Sequence, residues 1–139
     1  MRRAAFLVLL AACGAHHHGP NRADDPAHLY VEVYADGSHG SALKDGAQSG
    51  LASIGFVVPT THNGDVELSA EVSHLDDAGR GKACSVKILV LRLPQHDLLG
   101  IADASGRGPR SDVCLSGVTS TLVRGRVRGL LQRRLRDKR

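Results

Sequence analysis

Tryptophan is absent from this chain of 139 residues, which holds only two phenylalanines, two tyrosines and one methionine. A core must therefore be built from valine, leucine, isoleucine and alanine. A single domain of this size folds alone with little margin, so a crosslink would matter. Long apolar runs are also missing. The run Ala4–Leu10 is far short of the ~20 residues that span a bilayer as a helix. The common catalytic signatures are absent too. There is no Gly-x-Ser-x-Gly elbow, no His-Glu-x-x-His helix and no Gly-x-x-x-x-Gly-Lys phosphate loop. No Cys-x-x-Cys pair suggests redox chemistry. The expectation is a non-enzymatic protein without a cofactor.

The first twelve residues have the grammar of an export signal: Arg2 and Arg3, the apolar Ala4–Leu10, then the small Ala11 and Ala12. Leu10-Ala11-Ala12-Cys13 resembles the lipobox of bacterial lipoproteins, which signal peptidase II cuts before the cysteine. The resemblance covers thirteen residues. It implies a diacylglycerol on the Cys13 thiol and usually an acyl chain on the new amine. Two or more chains hold a protein at a membrane stably, where one does so marginally. Gly14 is not the aspartate that marks inner-membrane retention in many Gram-negative bacteria. The resemblance therefore implies a periplasm-facing protein, at the outer rather than the inner membrane. An ordinary secretory signal with a chance cysteine, or a short buried N-terminal helix, are the plainer alternatives.

Residues 1–12 thus read as a signal peptide, 13–27 as a flexible tether, 28–136 as one domain and 137–139 as a basic end. The tether sequence GAHHHGPNRADDPAH is rich in Gly, Pro, Asp and Ala and has no apolar period. His16, His17 and His18 could bind a transition metal beside Asp24, Asp25 and His28. On a floppy segment they form a weak and unselective ligand set.

Two cysteines remain. Export would place Cys84 and Cys114 where thiols oxidise, so a disulfide is expected, with two buried free thiols as the alternative. The enclosed loop of about 31 residues would contribute roughly 3 to 4 kcal/mol by chain entropy.

Along the domain, HLYVEVYA (28–35) alternates apolar and polar as a half-buried strand does. In SALKDGAQSGLASIG, Leu43, Ala47, Leu51 and Ile54 recur on one helix face. Ser41 is placed to cap it and Gly55 to end it. Gly46 and Gly50 weaken this helix and would permit close packing on a sheet. FVVP (56–59) is a short apolar run stopped by proline. VELSAEVSHL (66–75) alternates again. CSVKILVLRL (84–93) becomes apolar on both sides and reads as the central, most buried strand. LLGIADASG (98–106) is a weaker strand, followed by a loop. Residues 112–136 lack proline and carry an apolar stripe from Val118 to Leu135. They read as one long helix, capped by Ser111 or Asp112 and bent near Gly125 or Gly129.

The order β-α-β-β-β-β-α predicts an α+β fold: a three- to five-stranded, mostly antiparallel sheet with two helices on one face. This order, with the alternation in DVELSAEVSHL and CSVKILVLRL, resembles the small α/β domains of envelope accessory lipoproteins. Examples are the penicillin-binding-protein activators and the amino-terminal domain of the Tol-Pal translocation protein. The resemblance implies an accessory factor that binds envelope proteins.

Charge is unevenly spread. Residues 14–123 hold eight Lys or Arg against thirteen Asp or Glu, whereas 124–139 hold eight against one. Arg124, Arg126, Arg128, Arg133, Arg134 and Arg136 form either a solvated helix face, stabilised near the helix C-terminus by its dipole, or a patch for an anionic partner. That partner would be lipid headgroups, an acidic protein or an anionic cell-wall polymer. Nucleic acid is disfavoured by export and by the shortage of aromatic side chains for stacking. His62, His74 and His96 read as turn or strand-end residues. Asp65, Asp76 and Asp77 could line a calcium site but lack EF-hand spacing. DASGRGPR, with Arg107 and Arg110, could grip a small anion. These expectations converge on a lipid-anchored envelope factor that acts by binding, with a metal- or small-anion-binding lipoprotein as the alternative.

Overall fold

Alternating side chains become strands because only one face of each is covered. The computed structural model describes residues 25–139. The chain runs β1 (Leu29–Tyr34), α1 (Gly40–Ala52), β2 (Val57–Pro59), β3 (Val66–Ala78), β4 (Gly81–Arg92), β5 (Asp97–Gly108), α2 (Ser111–Leu122) and α3 (Arg128–Lys138). A π-helical turn, Val123–Val127, joins α2 to α3 with right-handed helical dihedrals at both junctions, so the two run on as one rod. The π turn contains Gly125, one of the two glycines where a bend is expected, and a π segment is an established source of helix distortion. The rod extends to Lys138, two residues beyond the predicted end.

The five strands form one sheet in the order β2-β1-β3-β4-β5. β1 pairs in parallel with both β2 and β3, while β3/β4 and β4/β5 are antiparallel hairpin neighbours. The two antiparallel ladders carry most of the paired residues. Both helices lie on one face, giving the expected α+β layering.

The buried side chains follow the predicted alternation. Leu29, Val31, Val66, Leu68, Cys84, Val86, Ile88 and Val90 point toward the helices, which return Leu43, Ala47, Leu51, Leu115, Val123, Val127 and Leu131. At about 1.5–3 kcal/mol for each large aliphatic side chain fully buried, this layer is the main favourable term.

Four expectations are corrected. β3, not β4, is the middle strand of the sheet. β4 is apolar on both sides because Leu89 and Leu91 lie half-buried on the uncovered face. The first helix begins at Gly40 after an N-cap His39 whose side chain makes no capping bond, and it closes at Ser53 rather than at Gly55. Likewise α2 follows Arg110, which makes no capping bond, with Asp112 in its first turn where the dipole favours a carboxylate. Finally, Gly46 and Gly50 meet the C-terminal helical rod, not the sheet. A Cβ on Gly46 would lie 2.4 Å from the Ser116 carbonyl oxygen, and one on Gly50 would lie 2.7 Å from Val123 Cβ.

Candidate functional site

The Cys84 and Cys114 sulfurs are bonded. Cys84 lies near the start of β4 and Cys114 in the first turn of α2, so the bond staples helix to sheet. Close approach of α2 is permitted by Gly108, whose missing Cβ would sit 2.9 Å from the Cys114 nitrogen. Beside the staple, a groove of about 340 Å³ runs between β5 and α2, lined by Ala104, Gly106, Val113 and Val118 with Arg107 at its rim.

At the opposite pole the two ends of the domain meet. Lys138 Nζ donates to Asp65 Oδ2 at 2.9 Å and to the His28 carbonyl at 3.0 Å, and it lies 5.3 Å from the centre of the Tyr30 ring. Arg139 Nε donates to the Pro26 carbonyl at 3.0 Å. Asp65 Oδ2 also accepts from the Tyr30 amide at 2.9 Å. Asp25 anchors the incoming chain, accepting from the Tyr30 hydroxyl at 3.0 Å and the Ala27 amide at 3.1 Å, with His28 Nδ1 at 3.3 Å. Desolvation pushes the Asp25 carboxyl upward. The Tyr30 and Ala27 bonds and the His28 charge together outweigh it, and its pKa is lowered.

The six arginines do not form one face. Arg124 turns back onto Ser120, with Nη2 donating to the hydroxyl at 2.8 Å. Arg126 lies 3.8 Å from Asp103 on β5. Arg128, Arg133 and Arg136 are exposed. Arg133 and Arg134 are brought together on a crevice of about 140 Å³ with Leu99, Leu130 and Asp137. Arg134 Nε is buried there with no protein partner.

Other groups singled out in the sequence are scattered. Asp65 precedes β3 whereas Asp76 and Asp77 lie near its far end, so they share no site. Asp77 pairs with Lys82 and Asp65 with Lys138. His74 lies inside β3 beside a bulge, 3.8 Å from Asp76, and not at a strand end. His62 lies in a bend between β2 and β3. His96 occupies the β4–β5 turn with φ 64°. The stretch expected as a loop around Arg107 is strand to Gly108, and Arg110 lies 3.3 Å from Asp112. Among the described residues no group of three or more His, Cys, Asp or Glu side chains is placed to hold a metal ion. Nor is any helix among them long and apolar enough to cross a membrane. Cys13 and His16–His18 lie outside the described residues.

An apolar patch on the sheet was not anticipated. Leu98 (56% exposed), Ile101 (54%) and Tyr34 (51%) stand on the uncovered sheet face. The registers place Ile101 opposite Leu89 and Leu98 opposite Leu91. The apolar second side of β4 was the sequence signal for this patch. Tyr34 also donates to Asp36 at 3.1 Å, and that bond and charge raise its phenol pKa.

No protein-family model matches the chain, and no curated protein matches it. Solved structures do resemble it. The PelC dodecamer from Paraburkholderia phytofirmans is 19% identical, with 70% of this chain and 85% of that one covered, at a TM-score of 0.49. Protein XCC0632 from Xanthomonas campestris is 13% identical over 86% of each chain, with a TM-score of 0.46. A candidate lipoprotein from Caulobacter crescentus is 16% identical over 78% of this chain and 89% of that one, with a TM-score of 0.41.

Proposed function

We propose that this protein is a bacterial envelope lipoprotein, anchored through Cys13 and facing the periplasm, that acts by binding in envelope assembly or maintenance and not by catalysis. The observation that carries this reading is Leu10-Ala11-Ala12-Cys13, set between an apolar leader and a polar tether. The disulfide Cys84–Cys114 suits the oxidising compartment such a leader leads to. Exposed Leu98 and Ile101, set against half-buried Leu91 and Leu89 on the uncovered face, support a binding role, since contiguous apolar surface marks interaction sites. The partner class is an envelope protein or an anionic polymer.

Mass spectrometry of the N-terminus, after expression in a bacterium with lipoprotein processing, tests the anchor beside a Cys13→Ser control. The expected mature chain starts at Cys13 and carries acyl groups that the control lacks. An unprocessed, unacylated chain would remove the compartment argument. Crosslinking in intact cells then tests the binding role. Reproducible capture of an envelope component is expected, and its loss on Leu98→Ser with Ile101→Ser would place the contact on the uncovered face.

A further inference from the structure

The chain from Cys13 arrives at the pole where α3 ends. Arg139 holds Pro26 and Lys138 holds His28, so the C-terminal turn and the incoming tether are fixed to each other. Eleven residues lie between Cys13 and Asp25, so the twelve steps reach roughly 40 Å at full extension. If Cys13 carries lipid, this pole is the part of the domain tied nearest the bilayer.

It is also the basic part. Residues 124–139 hold eight Lys or Arg against Asp137, while residues 25–123 hold seven against twelve Asp or Glu. The C-terminal helix is therefore the basic element of the domain, and at this pole its cations outnumber Asp25, Asp65 and Asp137, of which Asp65 is already paired with Lys138. A charged surface orients such a molecule, but across salt it acts only within a Debye length of about 8 Å, so contact is required. Among the described residues, Arg133 and Arg136 have no carboxylate at ion-pair distance. Beside them, Arg133 and Arg134 line a crevice walled by Leu99 and Leu130, and Arg134 Nε is buried with no protein acceptor, which leaves the rest of its guanidinium to find one. Asp137, exposed like Arg133, lines the same crevice, and its carboxylate offsets one of the two guanidinium charges there. Guanidinium forks suit phosphate oxygens, and the apolar walls suit the glycerol above them.

We infer that this pole is a seat for anionic phospholipid headgroups, with Arg133, Arg134, Arg136 and Arg139 as its contacts. It is a second membrane attachment that holds the domain end-on against the leaflet carrying its lipid. The inference rests on the lipoprotein reading for its biological setting, and its test does not.

The mature chain 13–139 with Cys13→Ser, which carries no acyl group, is sedimented with vesicles. One set is pure phosphatidylcholine and the other a three-to-one mixture with phosphatidylglycerol. Binding to the mixture alone is expected, weakening steeply as salt rises. Arg133→Glu with Arg136→Glu and Arg139→Glu should lower the partition by at least about a hundred-fold, since loss of each cation near the surface costs roughly five-fold and the added carboxylates repel the anionic leaflet. Lys44→Glu with Arg80→Glu and Arg107→Glu removes the same charge elsewhere and should change it little. No binding of the parent chain to the mixture overturns the inference. So does equal loss in the two triple variants, which would reduce the effect to net charge. If the first triple variant fails to fold by circular dichroism, Arg136→Glu alone keeps the comparison, at a loss of at least about five-fold. Failure here leaves the mass of the N-terminus unchanged, and an unlipidated Cys13 leaves the vesicle result unchanged.

Discussion

Lys138, the last residue of α3, reaches Asp65, the residue before β3, with 2.9 Å between Nζ and Oδ2, and both side chains are nearly shut off from solvent, at 5% and 12% exposed. The pair closes the domain, joining its C-terminus to the strand layer beside the incoming tether. A cation removed from water needs its partner and its remaining hydrogen bonds, which the His28 carbonyl and the Tyr30 ring help supply. Asp65→Asn should therefore cost about 3 kcal/mol in urea unfolding at neutral pH, because it leaves the ammonium buried without its carboxylate. Lys138→Met with Asp65→Asn should cost less than Asp65→Asn alone. An equal or larger cost for the pair would show that the two groups do not act together.

The disulfide makes a separate claim on stability. Cys84→Ser with Cys114→Ser should lower unfolding free energy by about 3–4 kcal/mol, the chain-entropy value for such a loop. Alkylation and intact mass of the parent protein, before and after reductant, should show two thiols appearing only on reduction.

Glycines on the rod and on α1 should separate by position. A Cβ added at Gly129 would meet nothing within 4 Å, so Gly129→Ala should stabilise by up to about 1 kcal/mol through helix propensity. Gly46 meets backbone of α2, which cannot yield as a flexible side chain does. Gly46→Ala should destabilise by about 1–3 kcal/mol despite the same propensity gain. Thermal melts of the two variants decide it, and shifts of the same sign would contradict the packing described.

Asp25 gives a prediction about pH. Its folded-state pKa is lowered, with desolvation opposed by the Tyr30 and Ala27 hydrogen bonds and the His28 charge. A carboxyl lowered on folding adds stability that is present above its unfolded pKa and lost as pH falls through the folded one. NMR titration should place the Asp25 carboxyl below the ordinary aspartate range. Tyr30→Phe should move it upward, and no movement would remove the hydroxyl as a cause.

Much of this architecture was legible along the chain. Alternation in Val66–Val72 and Val86–Val90 marks strands and their buried face, because side chains point to opposite sides at every step and burial repeats every second residue. The helical rod is legible from its apolar stripe, and the cysteine partners from there being no others in the domain. All of these are local periodicities or counts. The place of β1 between β2 and β3 is not, since parallel pairing has no connecting turn to announce it and backbone amides are the same for every residue. Nor does periodicity tell Gly46 and Gly50 which neighbour to meet, or show that Leu89 and Leu91 look out over an uncovered face. The basic run in 124–139 is plain in the sequence, but its sorting is tertiary: Arg124 and Arg126 are engaged by Ser120 and Asp103, and Arg133 and Arg134 share a crevice. The charge was determined residue by residue. Which end of the molecule carries it, and that the tether arrives there, was decided by Lys138 and Arg139 packing against the start of β1, a contact between residues more than a hundred positions apart.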